Sequence, residues 1–343
     1  MKIDAAYYCG DKTFRVEQVT PVPPAAGEVQ IDIAYCGICG TDLHVYLGHM
    51  DARIGNHRVI GHEMSGRVAA LGEGVTGFEI GEPVVVRPLD HCGACPACDA
   101  GHKHVCQNLK FLGLDTDGAF QEKWSVPAHT LHKLPKGLAL DHAALVEPLA
   151  VAAHDIRRAR LEVGEDVLVI GGGPIGMLVA LAARAKGAKV TISEVNENRL
   201  ALAREMGFAA LNPKDQNVAS AINDATGGKG ADVVFEVSGT QPGVDLMTAA
   251  ASVRGRICMV AIHATKPTID LFQFFWRELE MIGARVYEPE DYDAAIQLLT
   301  GGVGAERLIT DIQSLHSIGD AFKALTENPN SMKTLIRVNE GAA

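Results

Sequence analysis

The sequence predicts an α/β protein with two domains, one β-rich and one built on a doubly wound parallel sheet. Before about residue 150, short β-branched segments alternate with turn segments such as PVPPAAGE and GEGVTG. From there, apolar strands and Ala- and Leu-rich helices alternate, which indicates βαβ units. From about Glu288 the pattern changes back to amphipathic helices and one last strand. We therefore expect one domain to comprise residues 1–149 and 288–343, and an inserted domain to comprise 150–287.

Local residue patterns predict the individual elements. Strands are expected where β-branched residues cluster between Gly and Pro, and helices where Ala and Leu recur at helical spacing. The predicted strands of the β-rich domain are KIDAAYYC, TFRVEQV, EVQIDIAY, GRVAAL, EPVVV and the final TLIRV. The helix AALVEPLAVAAHDIRRARL comes next, followed by DVLVI (strand), PIGMLVALAARAKG (helix), KVTIS (strand), ENRLALAREMG (helix), DVVFEV (strand) and RICMVAI (strand).

The amino-acid composition limits the kinds of molecule that the protein is expected to bind. The chain has 343 residues, of which 47% are hydrophobic, and a formal net charge of −11. That charge argues against a nucleic-acid-binding face, which concentrates Lys and Arg, and favours a small-molecule partner. The most apolar stretch, VLVIGGGPIGMLVALAA, is too short to span a bilayer. The N-terminal residues contain no long apolar run, so we expect a cytoplasmic protein whose clustered cysteines bind metal.

A glycine-rich turn predicts a dinucleotide site. Gly171, Gly173 and Gly176 follow an apolar strand and open a helix that begins with Pro174 and Ile175. In that context the glycines allow a tight turn, approach of a pyrophosphate, and close helix–strand packing. Glu194 ends the next strand, where a carboxylate binds ribose hydroxyls and repels a 2′-phosphate. NAD is therefore favoured over NADP, although the nearby Arg199 could tolerate a phosphate.

Four cysteines within a short segment predict a structural metal site. Cys92, Cys95, Cys98 and Cys106 have the spacing of a tetrahedral four-thiolate zinc, which leaves no open coordination position. An iron–sulfur cluster is the competing metal hypothesis, and a disulfide pair is a third. The absence of a proline after the fourth cysteine, and of a second such run, favours zinc.

A second, catalytic zinc requires about three protein ligands and an open position. The segment YCGICGTDLHVY offers Cys36 and Cys39, IGHEMSG offers His62 and Glu63, and LVEPLAVAAH offers Glu147. None of these segments is decisive alone. Their combination, in this order before a dinucleotide motif, is more specific.

The chain resembles the zinc-dependent medium-chain dehydrogenases, which include alcohol, sorbitol, threonine and butanediol dehydrogenases. The resemblance spans essentially the whole chain and depends on CGICGTDLH, GHEMSGRV, the four-cysteine loop, EPLAV and VIGGGPIG. It implies a GroES-like catalytic domain, a Rossmann cofactor domain and two zinc ions per chain. The segment EPLAV is typical of the polyol-type group, in which a glutamate replaces a sulfur ligand.

The resemblance also implies roles for individual residues. Cys39, His62 and Glu63 match the ligands of the catalytic zinc, and Glu147 matches a fourth ligand or one that binds through water. Asp42 matches the acidic residue that orients the zinc-bound histidine. Thr41 and His44 match a proton relay, for which His49 is an alternative outlet. Tyr46, Phe111 and Leu112 are expected among the residues that determine the substrate.

The predicted activity is NAD-linked interconversion of a secondary alcohol, polyol or vicinal diol with its ketone. L-Threonine 3-dehydrogenase is the alternative, favoured by CGTDLH and by GLDTDGAF. A redox-silent protein that binds NAD and zinc is a remote alternative, disfavoured by the complete ligand set. The resemblance also implies a homotetramer, or a homodimer, formed partly through edge strands of the Rossmann domain.

Overall fold

A computed structural model describes residues 2–328 and 330–342. The chain divides into two compact units, one of Met1–Glu147 with Glu288–Ala343 and one of Pro148–Tyr287. Among the described residues, no helix combines the length and the apolar character that crossing a bilayer requires.

The first unit is β-rich, as the alternation of β-branched and turn segments predicts. Its strands up to the boundary are β1 (Ile3–Tyr8), β2 (Phe14–Val19), β3 (Glu28–Gly37), β4 (Arg58–Val59), β5 (Glu63–Leu71), β6 (Pro83–Val86), β7 (Leu89–Asp90), β8 (Lys110–Phe111), β9 (Lys123–Pro127) and β10 (Leu131–Lys133). Its helices there are α1 (Gly40–Tyr46), α2 (Asp51–Ile54), α3 (Pro96–Asp99) and α4 (Leu140–Ala143).

The second unit contains the predicted βαβ alternation. Its elements follow α5 (Val146–Arg158), which contains the boundary between the units. They are β11 (Asp166–Ile170), α6 (Pro174–Ala185), β12 (Lys189–Ser193), α7 (Glu197–Glu205), β13 (Ala209–Leu211), α8 (Val218–Ala225), β14 (Ala231–Glu236), α9 (Gln241–Ala250), β15 (Ala251–Met259), α10 (Leu271–Arg277) and β16 (Glu280–Gly283).

The C-terminal segment returns to the first unit. Its elements are α11 (Pro289–Thr300), β17 (Ile309–Ser314), α12 (Ile318–Glu327) and β18 (Lys333–Arg337). The final strand predicted from TLIRV is β18, whereas β17 was not predicted.

The main sheet of the first unit brings distant parts of the chain together. Its strand order is β10-β6-β5-β3-β18-β17, with β9 also paired to β3. The central strand β3 is antiparallel to both β5 and β18, so Gly37 lies opposite Glu63 on one side and Leu335 on the other. Apolar side chains such as Ile31, Ile33 and Phe322 form the core beneath it. This register places the start of β5 and the start of β18 on either side of the end of β3.

The sheet of the second unit confirms the predicted doubly wound fold. Its strand order is β13-β12-β11-β14-β15-β16, and every pair is parallel. Strands β11 and β14 are almost completely buried, as expected when helices cover both faces of a parallel sheet. The order reverses at β11, and ligands of such sheets bind beyond the carboxyl ends of the strands at this point.

Candidate active site

The carboxyl end of β11 opens into a cleft suited to a nucleotide. The cleft has a volume of about 650 Å³ and is lined by Gly171, Gly173, Glu194, Arg199, Ser238 and Thr240, among others. Gly171 has φ +103°, a conformation that side chains rarely adopt. At Gly176 an added Cβ would lie 1.8 Å from the carbonyl oxygen of Gly171, so only glycine allows this approach of α6 to the turn. Pro174 and Ile175 form the first turn of α6 behind Gly173.

Glu194 lies at the mouth of this turn and is held by backbone donors. Its Oε2 accepts a hydrogen bond from the Gly172 N–H at 2.8 Å, and its Oε1 accepts from Val195 at 2.6 Å and Asn196 at 2.8 Å. Nη1 of Arg199 lies 3.9 Å from Oε2. The arrangement places a fixed negative charge, with a guanidinium beside it, on the wall of the cleft.

The four cysteines of the loop before β8 converge on one point. Sγ of Cys95 lies 3.6 Å from that of Cys98 and 3.8 Å from that of Cys106, which is 3.5 Å from Sγ of Cys92. Tetrahedral zinc with Zn–S bonds of about 2.3 Å requires sulfur separations of about 3.8 Å, whereas a disulfide requires about 2.05 Å. All four are free cysteines. The spacing therefore fits one metal ion and excludes disulfides in this arrangement.

Backbone N–H groups point at sulfurs of this loop. The N–H of Gln107 donates to Sγ of Cys95 at 3.4 Å, and that of Asn108 donates to Sγ of Cys106 at 3.3 Å. The donor at Gln107, together with that at Cys98, lowers the pKa of Cys95 to about 6. Four sulfurs around one point leave no position for a substrate, so this site is suited to a structural role.

A second cluster joins the end of β3 to the start of β5. The ligand atoms of Cys39, His62 and Glu63 lie within 4.8 Å of one another. His62 and Glu63 are buried, and Cys39 is half-buried. One thiolate, one imidazole and one carboxylate form a donor set that suits zinc with an open position. The GHE segment, which is not decisive alone, leads into the buried start of β5 at Glu63.

Asp42 lies beside two members of this cluster. Its Oδ2 accepts the Cys39 N–H at 2.9 Å, and its Oδ1 lies 3.6 Å from Nδ1 of His62. Burial disfavours protonation of His62, but Asp42 and Cys39 outweigh it and raise the pKa of His62 well above its usual range. Since Nδ1 faces Asp42, Nε2 is the ring nitrogen left for a metal. A carboxylate behind a histidine in this way orients the ring and increases its basicity as a ligand.

Lys333 is a member of the site that the sequence analysis missed. Its Nζ donates to Oε2 of Glu63 at 2.6 Å, and both side chains are buried. Burial lowers the pKa of Lys333, but Glu63 and Cys39 outweigh it, so the pKa is raised. The trace of it in the sequence is a lysine at the start of a short predicted strand, in the segment MKTLIRV. That pattern does not reveal which carboxylate the lysine meets.

Glu147 lies in the first turn of α5 and is buried. Its charge also contributes to the raised pKa of Lys333. Glu147 falls outside the 4.8 Å cluster found among the described residues. The structure thus brings Cys39, His62 and Glu63 together and leaves Glu147 farther out.

The residues predicted for proton transfer lie on α1 and the loop after it. Thr41 is half-buried on α1, and His44 is exposed at the end of that helix. Nδ1 of His44 lies 3.2 Å from Nδ1 of His49, which is also exposed. The two histidines that the sequence suggested as alternative outlets are therefore neighbours.

Of the three residues expected to determine the substrate, one lies against the cluster. The ring of Phe111 meets His62 edge to face, with centroids 5.1 Å apart. Leu112 and Tyr46 are buried in the core, and Tyr46 packs against Phe322. Both side chains fill the interior of the unit, so their role in determining the substrate stays a prediction.

An ion pair between Arg53 and Asp115 holds the backbone at Phe111. Oδ2 of Asp115 accepts the Phe111 N–H at 2.8 Å, and Arg53 donates to both carboxylate oxygens of Asp115, at 2.8 and 2.7 Å. The hydrogen bond from Arg53 lowers the pKa of Asp115.

Comparison with known proteins agrees with this arrangement. Residues 25–136 match the family "Alcohol dehydrogenase GroES-like domain", and residues 174–301 match "Zinc-binding dehydrogenase". The chain is 55% identical, over 98% of both chains, to 2-dehydro-3-deoxy-L-galactonate 5-dehydrogenase of Pseudoalteromonas atlantica. It is 39% identical, over 72% of both chains, to L-threonine 3-dehydrogenase of Pyrococcus horikoshii. The crystal structure of 2R,3R-butanediol dehydrogenase from Bacillus subtilis superposes with a TM-score of 0.90 at 32% identity, covering 98% of this chain and all of that one.

The chain therefore belongs to the zinc-dependent medium-chain dehydrogenases, in the polyol-dehydrogenase-like group. It combines a GroES-like domain with a Rossmann domain, which confirms the predicted fold class. Within that family it is an oxidoreductase of alcohol or polyol groups, as the sequence predicted, rather than a redox-silent protein.

Proposed function

We propose that the chain oxidises a secondary hydroxyl of a 2-dehydro-3-deoxy sugar acid, with NAD as the hydride acceptor. The observation that supports this substrate class most strongly is the 55% identity to 2-dehydro-3-deoxy-L-galactonate 5-dehydrogenase over 98% of both chains. L-Threonine 3-dehydrogenase is the second candidate, supported by 39% identity over 72% of both chains. The sugar acid and L-threonine carry different groups next to the hydroxyl that is oxidised. A single assay of both substrates therefore distinguishes the two candidate functions.

The proposed catalytic metal site consists of Cys39, His62 and Glu63, with Glu147 as an outer ligand. A zinc ion held by these residues would act as a Lewis acid towards the substrate hydroxyl, and NAD would accept the hydride from the C–H bond of the carbinol carbon. Asp42 faces Nδ1 of His62, which leaves Nε2 for the metal, and it holds the start of α1 through the Cys39 N–H. The cluster thereby has its geometry before a substrate arrives.

Thr41 and His44 are the proposed path for the hydroxyl proton. Thr41 is half-buried two residues after Cys39, and His44 is exposed to solvent at the end of the same helix. A hydroxyl that accepts a proton inside the site and an imidazole that releases it to water form a relay. His49, 3.2 Å from His44, would share the outer proton.

We assign NAD to the cleft of the second unit, with the pyrophosphate at Gly171, Gly173 and Gly176 and the adenosine ribose at Glu194. The N-terminus of α6 supplies N–H donors to phosphate oxygens. The carboxylate of Glu194 would accept the ribose hydroxyls and repel the 2′-phosphate of NADP. Arg199 lies close enough to Glu194 to be neutralised by it, which supports NAD.

The four-cysteine site is proposed to hold a second, structural zinc, so that each chain binds two. We further propose a homotetramer, or a homodimer, in a reducing cytoplasmic compartment. The eight free cysteines fit such a compartment. In the second unit, β16 ends the sheet, and exposed Phe272, Phe275 and Trp276 of α10 precede it in the chain. Edge-to-edge pairing of β16 between two copies would satisfy its free backbone groups and cover apolar surface.

The proposal is tested with zinc-loaded protein and a panel of 2-dehydro-3-deoxy-L-galactonate, L-threonine, 2,3-butanediol and sorbitol, each with NAD and with NADP. Reduction of the cofactor is followed by absorbance, and zinc per chain by elemental analysis. We expect the sugar acid with NAD to give the highest kcat/KM and two zinc ions per chain. A higher kcat/KM for threonine would replace the first candidate with the second, and inactivity on the whole panel with both zinc sites loaded would overturn both.

A further inference from the structure

The buried ion pair between Lys333 and Glu63 is not explained by the proposed chemistry. Lys333 is 4% exposed and Glu63 is 1% exposed. Besides Oε2 of Glu63 at 2.6 Å, Nζ of Lys333 donates to the carbonyl oxygen of Ile38 at 3.2 Å. Burying an ammonium group costs several kcal/mol unless it is paired and hydrogen-bonded. The buried lysine therefore depends on its ion pair with the Glu63 carboxylate, and it holds one oxygen of that carboxylate in place.

The sheet is built so that this pair can form. Glu63 begins β5 and Lys333 begins β18, on opposite sides of β3, where Gly37 ends the strand. A Cβ at Gly37 would lie only 2.4 Å from Oε2 of Glu63. The missing side chain at Gly37 leaves the space in which the carboxylate reaches the ammonium group across the central strand.

The ion pair makes the two carboxylate oxygens of Glu63 inequivalent. Lys333 donates to Oε2. One carboxylate oxygen of Glu63 lies within 4.8 Å of the ligand atoms of Cys39 and His62, so the oxygen that Lys333 does not hold is the one left to bind a metal. A carboxylate free of such a partner binds a metal through one oxygen or through both.

We propose that Lys333 is a positioning residue that restricts Glu63 to one-oxygen ligation of the catalytic zinc. By holding Oε2, it prevents Glu63 from chelating the ion with both oxygens and keeps the open coordination position for the substrate. This inference depends on the proposed zinc site at Cys39, His62 and Glu63. It assigns a function to a residue 270 positions away from Glu63 in the chain.

The experiment replaces the zinc at this site with cobalt(II), whose visible absorption weakens as coordination number rises. Lys333→Met removes the ammonium group, and Lys333→Arg retains a positive donor. Lys123→Met is the matched control, because Lys123 pairs with Asp32 on the same strand β3 but five residues before Gly37. Each variant is measured for its cobalt spectrum, its kcat and KM, and its melting temperature.

We expect Lys333→Met to weaken the cobalt absorption and to lower kcat by about 10- to 100-fold, with a smaller change in KM. Lys333→Arg should restore the spectrum at least in part, and Lys123→Met should keep the spectrum of the unmodified protein. A cobalt spectrum in Lys333→Met identical to that of the unmodified protein would overturn the inference, even if the melting temperature falls. The absence of any cobalt spectrum in the unmodified protein would instead overturn the proposed zinc site.

A second measurement covers the case in which Lys333→Met does not fold. A crystal structure of the unmodified, zinc-loaded chain shows directly how Glu63 binds. We expect Oε1 within bonding distance of the ion and Oε2 on Nζ of Lys333. Two equal Glu63–zinc distances, or loss of the contact with Lys333, would contradict the inference.

Discussion

Replacement of Glu194 by alanine should change the cofactor preference of the enzyme. The carboxylate lies on the wall of the cleft to which we assign NAD, is almost completely buried, and accepts hydrogen bonds from Gly172, Val195 and Asn196. Glutamine is the poorer choice for this test, because its NH₂ group would face at least one of these N–H donors. Alanine removes the charge and leaves the backbone donors to water in the open cleft.

The magnitude follows from two effects of the carboxylate. Two hydrogen bonds from ribose hydroxyls to a charged acceptor contribute about 3 kcal/mol in total, which corresponds to a roughly 150-fold loss of kcat/KM with NAD. A carboxylate and a 2′-phosphate about 5 Å apart repel by about 3 kcal/mol at an effective dielectric constant of 20, and by less in a solvated cleft. Removing this repulsion should raise kcat/KM with NADP about tenfold. The ratio of the two efficiencies should therefore change by about 1,000-fold.

The assay compares kcat/KM for NAD and NADP at a fixed, saturating substrate concentration. Arg199 provides a second arm, because its Nη1 lies 3.9 Å from Glu194 and would be free to meet a 2′-phosphate once the carboxylate is gone. In the double variant Glu194→Ala with Arg199→Ala, the increase in kcat/KM with NADP should disappear, whereas kcat/KM with NAD should stay low. Glu197→Ala is the control, since Glu197 lies three residues from Glu194 and outside the lining of the cleft in the described structure. An unchanged NAD to NADP ratio in Glu194→Ala would refute the assignment of this carboxylate to the ribose.

Three further changes probe the metal sites and the substrate side. Cys98→Ser should reduce the zinc content by one ion per chain and lower the melting temperature, measured by elemental analysis and calorimetry; retention of both ions would contradict a four-thiolate site. Asp42→Ala should weaken metal binding or activity by about 10- to 100-fold, because His62 loses the carboxylate that orients it, and chelator competition measures this loss. Asp115→Asn should raise KM more than it lowers kcat, since it loosens the backbone at Phe111. A change in kcat alone in steady-state kinetics would show that the Arg53–Asp115 ion pair affects the chemical step instead.

Local patterns were sufficient for the centre of the second unit, although β13, α8, α9, α10 and β16 were not predicted. The strands DVLVI and KVTIS and the helix after the glycine turn occur where the sequence places them. Both faces of these strands are covered, so their apolar runs are continuous, and the glycine turn connects neighbouring elements. No long-range pairing had to be known to predict them.

The cysteine loop was predictable for the same reason. Its four sulfurs come from a segment of fifteen residues, Cys92 to Cys106, and a chain of that length can bring them to one point without help from the rest of the fold. The spacing of the cysteines along the chain is therefore enough to predict that their sulfurs converge. The structure adds the distances between the sulfurs and the N–H groups that donate to them.

The second cluster was suggested by resemblance rather than by spacing. Cys39 follows β3 and His62 precedes β5, and their approach depends on the register in which Gly37 lies opposite Glu63. A shift of the antiparallel register by one residue would turn the side chains of β5 to the other face of the sheet. Sequence order alone does not determine that register.

The amino-acid sequence by itself indicated the class of fold, the glycine turn after β11 and the convergence of the four cysteines, because each depends on residues close together in the chain. Only the tertiary structure showed that Lys333 meets Glu63, 270 residues away, and that Tyr46 fills the core. Both outcomes depend on which strands and helices become neighbours. That choice depends on burial and hydrogen bonding summed over the whole unit, and no local pattern contains it.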